Sequence, residues 1–164
     1  MHIASSHDPA AARDKPLLYA ELVQQLRSLI ANEPDRVANL ANASALLFSM
    51  LPQLNWAGFY LLKEGELVVG PFQGKPACVR IAVGKGVCGT AALQRKTVIV
   101  ADVHQFPGHI ACDTASNSEI VVPIISTAGE LLGVLDLDSP VTDRFDAEDA
   151  KGLERFVATL LQIM

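Results

Sequence analysis

Apolar residues recur at helical spacing from Leu17 to Ala31, at Leu22, Leu26, Leu29 and Ile30, and predict an amphipathic helix. Pro34 opens a second, carrying Val37, Leu40, Leu47 and Leu51. The period then shortens. Strands are expected over Trp56 to Leu62, Glu66 to Val69, Cys78 to Val83, Thr97 to Ala101, Glu119 to Ser126 and Leu131 to Asp138. Thr127, Ala128 and Gly129 join the last two as a hairpin. A short helix fills Val87 to Gln94. A final helix starts at Ala147 behind the N-cap Asp146, with Leu153, Phe156, Val157 and Leu160 on its inner face. Strand and helix do not alternate strictly, so the order predicts an α+β fold with a mostly antiparallel sheet rather than a doubly wound one. Met1 to Pro16 has no period and reads as an N-terminal extension that frays or caps a neighbouring subunit, leaving 17–164 as one domain.

A chain of 164 residues can bury a core without disulfides or a structural metal. Its formal charge of −5 gives it no electrostatic reason to hold nucleic acid or an anionic membrane. No apolar run approaches the roughly 20 residues that span a bilayer, and the N-terminus lacks a signal-peptide core, so a cytoplasmic location is expected. Three cysteines are too few for a disulfide scaffold and direct attention to thiol chemistry.

Gly84-Lys85-Gly86-Val87-Cys88-Gly89 has the spacing of a dinucleotide-binding loop. That loop, however, belongs to the first strand of a parallel βαβ unit, and this one follows two helices and a hairpin, so a tight turn before a helix is the better reading. Trp56 and Tyr60 share one strand face with Gly58 and Leu62; the rings are either core aromatics or the walls of a pocket, and Gly58 between them favours a cavity. Asp136 and Asp138 likewise share a face, and Glu119 begins the partner strand, so pairing would gather three acids. The alternatives are a strand-ending turn at Asp138 or a divalent-cation site on the Asp-x-Asp pair. The spacing of Cys78, Cys88 and Cys112 argues against structural zinc, even with His104 or His109 as a fourth ligand. Cys88, among Val87, Ala91 and Ala92, fits an inert buried thiol, whereas Cys112 lies in a long polar loop of the kind that carries function.

Six segments together resemble the GAF-domain family, and within it the free methionine-(R)-sulfoxide reductases. They are Asn55-Trp56-Ala57-Gly58-Phe59-Tyr60, Gly70-Pro71-Phe72-Gln73-Gly74, Gly84 to Ala91, His109-Ile110-Ala111-Cys112-Asp113, Ser118 to Pro123 and Gly133 to Ser139. The resemblance implies helices on one side of a sheet, a loop-covered pocket on the other, and a homodimer. It makes Cys112 the nucleophile, Cys78 the principal resolving cysteine and Cys88 an auxiliary thiol. Trp56 and Tyr60 are implied to wall the substrate methyl and thioether, with Glu119, Asp136 and Asp138 at its amino and sulfoxide ends. No metal or other cofactor is implied. The substrate is then free methionine-(R)-sulfoxide, and thioredoxin is the reductant.

A free thiol of pKa about 8.5 is largely protonated at neutral pH, and acids near Cys112 (Asp113, Glu119, Asp138) would raise it further. The carboxylates make better sense as holders of a proton for the sulfoxide oxygen, which renders the sulfur electrophilic. Attack would leave Cys112 as a sulfenic acid, and condensation with Cys78 would give a disulfide. Carboxylates not so used would bind the ammonium of a free amino acid, and backbone N–H groups before Ser118 its carboxylate. The competing expectations are a small-ligand-binding GAF sensor without catalysis and a thiol redox sensor for peroxide.

Overall fold

The computed structural model describes residues 14–164, so most of the expected N-terminal extension lies outside the described residues. Helices α1 (Lys15–Ile30) and α2 (Arg36–Met50) lead into a hairpin of β1 (Trp56–Lys63) and β2 (Glu66–Gly74). Next come β3 (Arg80–Ala82), α3 (Gly86–Gln94) and β4 (Val98–Val100), then β5 (Ser118–Ile125), β6 (Leu131–Ser139) and α4 (Ala147–Leu160). The strands form one sheet of order β3-β2-β1-β6-β5-β4, every pairing antiparallel. This is the α+β arrangement expected.

Strand alternation divides the side chains between two cores. Ala57, Phe59, Ile120, Val122, Leu135 and Leu137 face one way and pack on α1, α2 and α4. Trp56, Tyr60, Val121 and Val134 face the other way, where α3 and the long loops cover them. α1 buries Leu18, Leu22 and Leu26 with Tyr19, Val23 and Ile30, so Leu29, expected on the inner stripe, falls beside it and is 44% exposed. Val37 is likewise exposed, since α2 buries the stripe of Leu40, Ala43 and Leu47; Asp35 and not Pro34 caps this helix, its carboxylate accepting from the Ala38 N–H at 2.8 Å. Asp146 caps α4 as expected, in a reciprocal capping box with Asp149.

Three strands differ from expectation. β2 runs on to Gly74 through a bulge that sets Gly70 and Pro71 opposite Phe59, a position where a strand tolerates proline. β3 shrinks to three residues, which leaves Cys78 in the loop before it, and β4 to a three-residue edge. Gly58 also has another role than the expected one. A Cβ there would overlap the backbone and Cβ of Phe72 on β2, so the glycine admits that neighbour rather than a ligand.

Candidate active site

One pocket opens on the sheet face opposite α1, α2 and α4. β1 supplies Trp56 and Tyr60, both buried, with ring centroids 5.8 Å apart. Phe72 stacks on Trp56 at 5.0 Å, and the indole N–H donates to the Lys75 carbonyl at 3.2 Å. The two rings therefore serve as core and as pocket wall at once. The Tyr60 hydroxyl donates to the Cys78 carbonyl at 3.0 Å, fastening the cysteine loop to the sheet. Burial, then the nearby Asp136, pushes that hydroxyl far above its ordinary range, so it stays protonated.

The register pairs Glu119 with Asp138 and Val121 with Asp136, which gathers the three acids as expected. Glu119 and Asp136 are buried, 6% and 5% exposed, and their position beneath an aromatic wall leaves little water to solvate charge. Burial raises all three carboxyls, and the neighbouring acids add to it for Glu119 and Asp138; Asp136 is pushed up to about 6. Crowded buried carboxylates cannot all ionise, so the cluster retains a proton. Asp113, expected to crowd the Cys112 thiol, lines the same pocket but is not among the raised carboxyls. The Ala115 N–H and then the Asn55 amide hold its carboxyl below the usual range.

Cys112 lies in the loop between β4 and β5 and is bonded to Cys78, with Cα atoms 5.5 Å apart. The bridge crosses the pocket rim, since Cys112 lines the pocket beside Asp113 and Glu119. Cys88 is the one free thiol of the three. It is buried as expected, but not merely among small apolar groups: Sγ lies 3.9 Å from Glu119 Oε1. Burial first, then Asp136, raises its thiol well above the ordinary range. Cys88, Glu119 and Asp136 place one donor atom each within 4.8 Å of one another, the one such group among the described residues.

Two residues went without a role in the sequence reading. The Asn55 amide donates to Asp113 (3.1 Å) and to Ser116 (3.0 Å), and its backbone N–H to the Asp138 carbonyl (3.0 Å), so it staples the Cys112 loop to the sheet. His109 stands 3.7 Å from Glu119 Oε2. Burial and then His104 lower its imidazole while Glu119 is raised, so both favour their neutral forms and the approach is not an ion pair. The Gly84 to Gly89 loop is the expected tight turn before a helix: the Gly84 N–H donates to the Gly89 carbonyl at 2.8 Å, and the strand it follows pairs antiparallel.

The GAF domain profile matches residues 43–164. The free methionine-R-sulfoxide reductase of Escherichia coli is 52% identical, the match covering 92% of this chain and 91% of that protein. The structure of fRMsr of Staphylococcus aureus in complex with substrate superposes with a TM-score of 0.84 at 55% identity, over 88% of this chain and 94% of the other. Free methionine-R-sulfoxide reductase from Neisseria meningitidis, in complex with its substrate, gives 0.88 at 45% identity over 99% and 95%. The chain therefore belongs to the GAF domain family and, within it, to the free methionine-R-sulfoxide reductases.

Proposed function

We propose that this chain reduces free L-methionine-(R)-sulfoxide to methionine, with Cys112 as nucleophile and Cys78 as resolving cysteine. The observation that carries the reading is the Cys78–Cys112 bond at the rim of a pocket floored by buried, proton-holding acids. In the first step Cys112 Sγ attacks the sulfoxide sulfur while a protonated carboxyl, Glu119 or Asp138, donates to the sulfoxide oxygen. The sulfur–oxygen bond to methionine breaks, oxygen passes to Cys112 as a sulfenic acid, and methionine leaves two electrons richer. The thiol proton of Cys112 restores the carboxyl. Cys78 then attacks the sulfenic sulfur, water leaves, and the disulfide forms.

Trp56 and Tyr60 flank the substrate's methyl and thioether, and Asp136 meets its ammonium. That requirement for a free ammonium selects the amino acid over methionine in a peptide. An external dithiol of the thioredoxin class reopens the bridge by exchange. Cys88, packed against the acids, takes an auxiliary place. A cytoplasmic homodimer completes the reading; no helix among the described residues is long and apolar enough to cross a membrane.

The test is incubation of the chain with dithiothreitol and, separately, the R and S epimers of free methionine sulfoxide, with methionine quantified. Methionine is expected from the R epimer alone, and very little from N-acetyl-methionine-(R)-sulfoxide. Saturable binding of the R epimer without turnover would overturn the reading in favour of a sensor.

A further inference from the structure

The sheet and α3 bring three metal-ligating groups of different chemistry to one buried point: a thiol from Cys88 and carboxylates from Glu119 and Asp136. They lie within 4.8 Å of one another, near enough for small side-chain shifts to close them around one ion. Asp136 adds a separate observation. Its Oδ1 is shut away from water on a pocket-lining side chain, and no N–H group reaches it. A buried carboxylate oxygen without an N–H donor is served by a proton shared within the cluster or, in its place, by a cation. A sulfur donor beside two oxygens excludes magnesium and calcium, which take oxygen ligands, and suits a borderline ion such as zinc or cobalt. Three protein ligands on a pocket wall also leave the fourth tetrahedral position open toward the cavity.

We propose that Cys88, Glu119 and Asp136 form a binding site for a thiophilic divalent cation, which blocks the pocket reversibly. On entry the ion takes the place of protons: the Cys88 S–H bond breaks, a sulfur–metal bond forms, and the proton passes to solvent. No electron moves. The inhibitory consequence rests on the reductase reading, because the ion occupies carboxyls that would otherwise face the substrate and supply a proton. Binding itself does not depend on that reading.

The disulfide makes the test selective. In the oxidised chain Cys78 and Cys112 are bonded to each other, so Cys88 is the only thiol available to a metal. Cobalt(II) alone is added to the oxidised protein, and the near-ultraviolet thiolate-to-cobalt charge-transfer band is followed. The band is expected in the wild type, lost on adding zinc(II), and absent from Cys88→Ser. Asp136→Asn, checked for folding by circular dichroism, should need about tenfold more cobalt or beyond. Zinc should then inhibit sulfoxide reduction competitively with substrate. A cobalt spectrum without a thiolate band, or equal affinity in a folded Asp136→Asn, overturns the site. If the band appears but no sulfoxide is reduced by the metal-free chain, the failure belongs to the reductase reading and the cation site stands.

Discussion

Cys112, Cys78 and Cys88 differ in surroundings more than in spacing, and their variants should separate in a single turnover. Cys112→Ser should form no methionine, since the proposed attack on the sulfoxide belongs to Cys112 and neither Cys78 nor the buried Cys88 takes it over. Cys78→Ser should release about one methionine per site, because attack precedes any need for a partner, and then stop cycling with thioredoxin. Full thioredoxin-supported cycling in Cys78→Ser would pass the resolving role to another thiol. Tyr60→Phe offers a finer test, as it removes only the hydroxyl that holds the Cys78 carbonyl. It should cost about 1 kcal/mol of stability and slow closure of the disulfide, with the methionine burst intact; stopped-flow trapping of the sulfenic acid would follow it. At this scale the sequence was informative where a residue's place depends on strand period. Trp56 with Tyr60 and Glu119 with Asp138 could be paired from alternation and one hairpin. Asn55 could not be given its work, because its partners Asp113 and Ser116 arrive from a loop whose path no period predicts. Gly58 misled for a related reason: its lost Cβ makes room for Phe72, and that contact comes from a bulge in the neighbouring strand.

Elements were legible in proportion to their length and to the chemistry of their ends. α4 could be placed from Asp146 and its apolar stripe, while β3 and β4, three residues each, depend on ladder bonds to β2 and β5 rather than on their own pattern. The contact between the first and last helices was not legible at all. Gly152 of α4 lies so close to Tyr19 of α1 that an added Cβ would enter the ring, and the Tyr19 hydroxyl donates to Asp149 at 2.8 Å. Lys15 (2.7 Å) and Arg144 (3.4 Å) reach the same carboxylate, whose side chain is 1% exposed. Asp149→Ala leaves that buried guanidinium and hydroxyl without their acceptor and should cost about 3 kcal/mol, read by urea unfolding. Turnover per folded molecule should hold, because this junction is on the helix side of the sheet. Lys15 also donates to Asp146, the first cause of that carboxyl's lowered pKa. A carboxyl lowered on folding stabilises above its unfolded pKa and loses that contribution as pH falls through the folded value. The thermal midpoint of the wild type should therefore exceed that of Lys15→Met at neutral pH, and the gap should narrow on acidification. A gap independent of pH would show that Lys15 acts through packing alone.

Over the whole molecule, the sheet separates a helix-packed side from a pocket side whose rim changes covalently in the proposed turnover. With the disulfide closed, the pocket is a partly open cavity of about 40 Å³ whose rim is held by the bridge. The rim consists of the loop carrying Cys78 and the loop carrying Cys112, joined across 34 residues of chain. Cross-linking a loop of that length removes chain entropy from the unfolded state equivalent to about 4 kcal/mol at most. Oxidation, the end of each proposed turnover, should thus also tighten the fold. The oxidised chain should unfold at a higher urea concentration than the reduced chain, with a smaller m-value because its cross-linked unfolded state is more compact. Cys78→Ser should match the reduced wild type in both quantities without any reductant, which separates the effect of the bridge from that of the reducing agent. Methionine sulfoxide should protect the reduced form more than the oxidised form, since in the reduced form the loops carrying Cys78 and Cys112 are free to close on it. Equal midpoints for the oxidised and reduced chains would mean that the Tyr60 and Asn55 hydrogen bonds hold the loops as firmly as the disulfide does. Access to the pocket would then have to come from motion within the Cys112 loop alone.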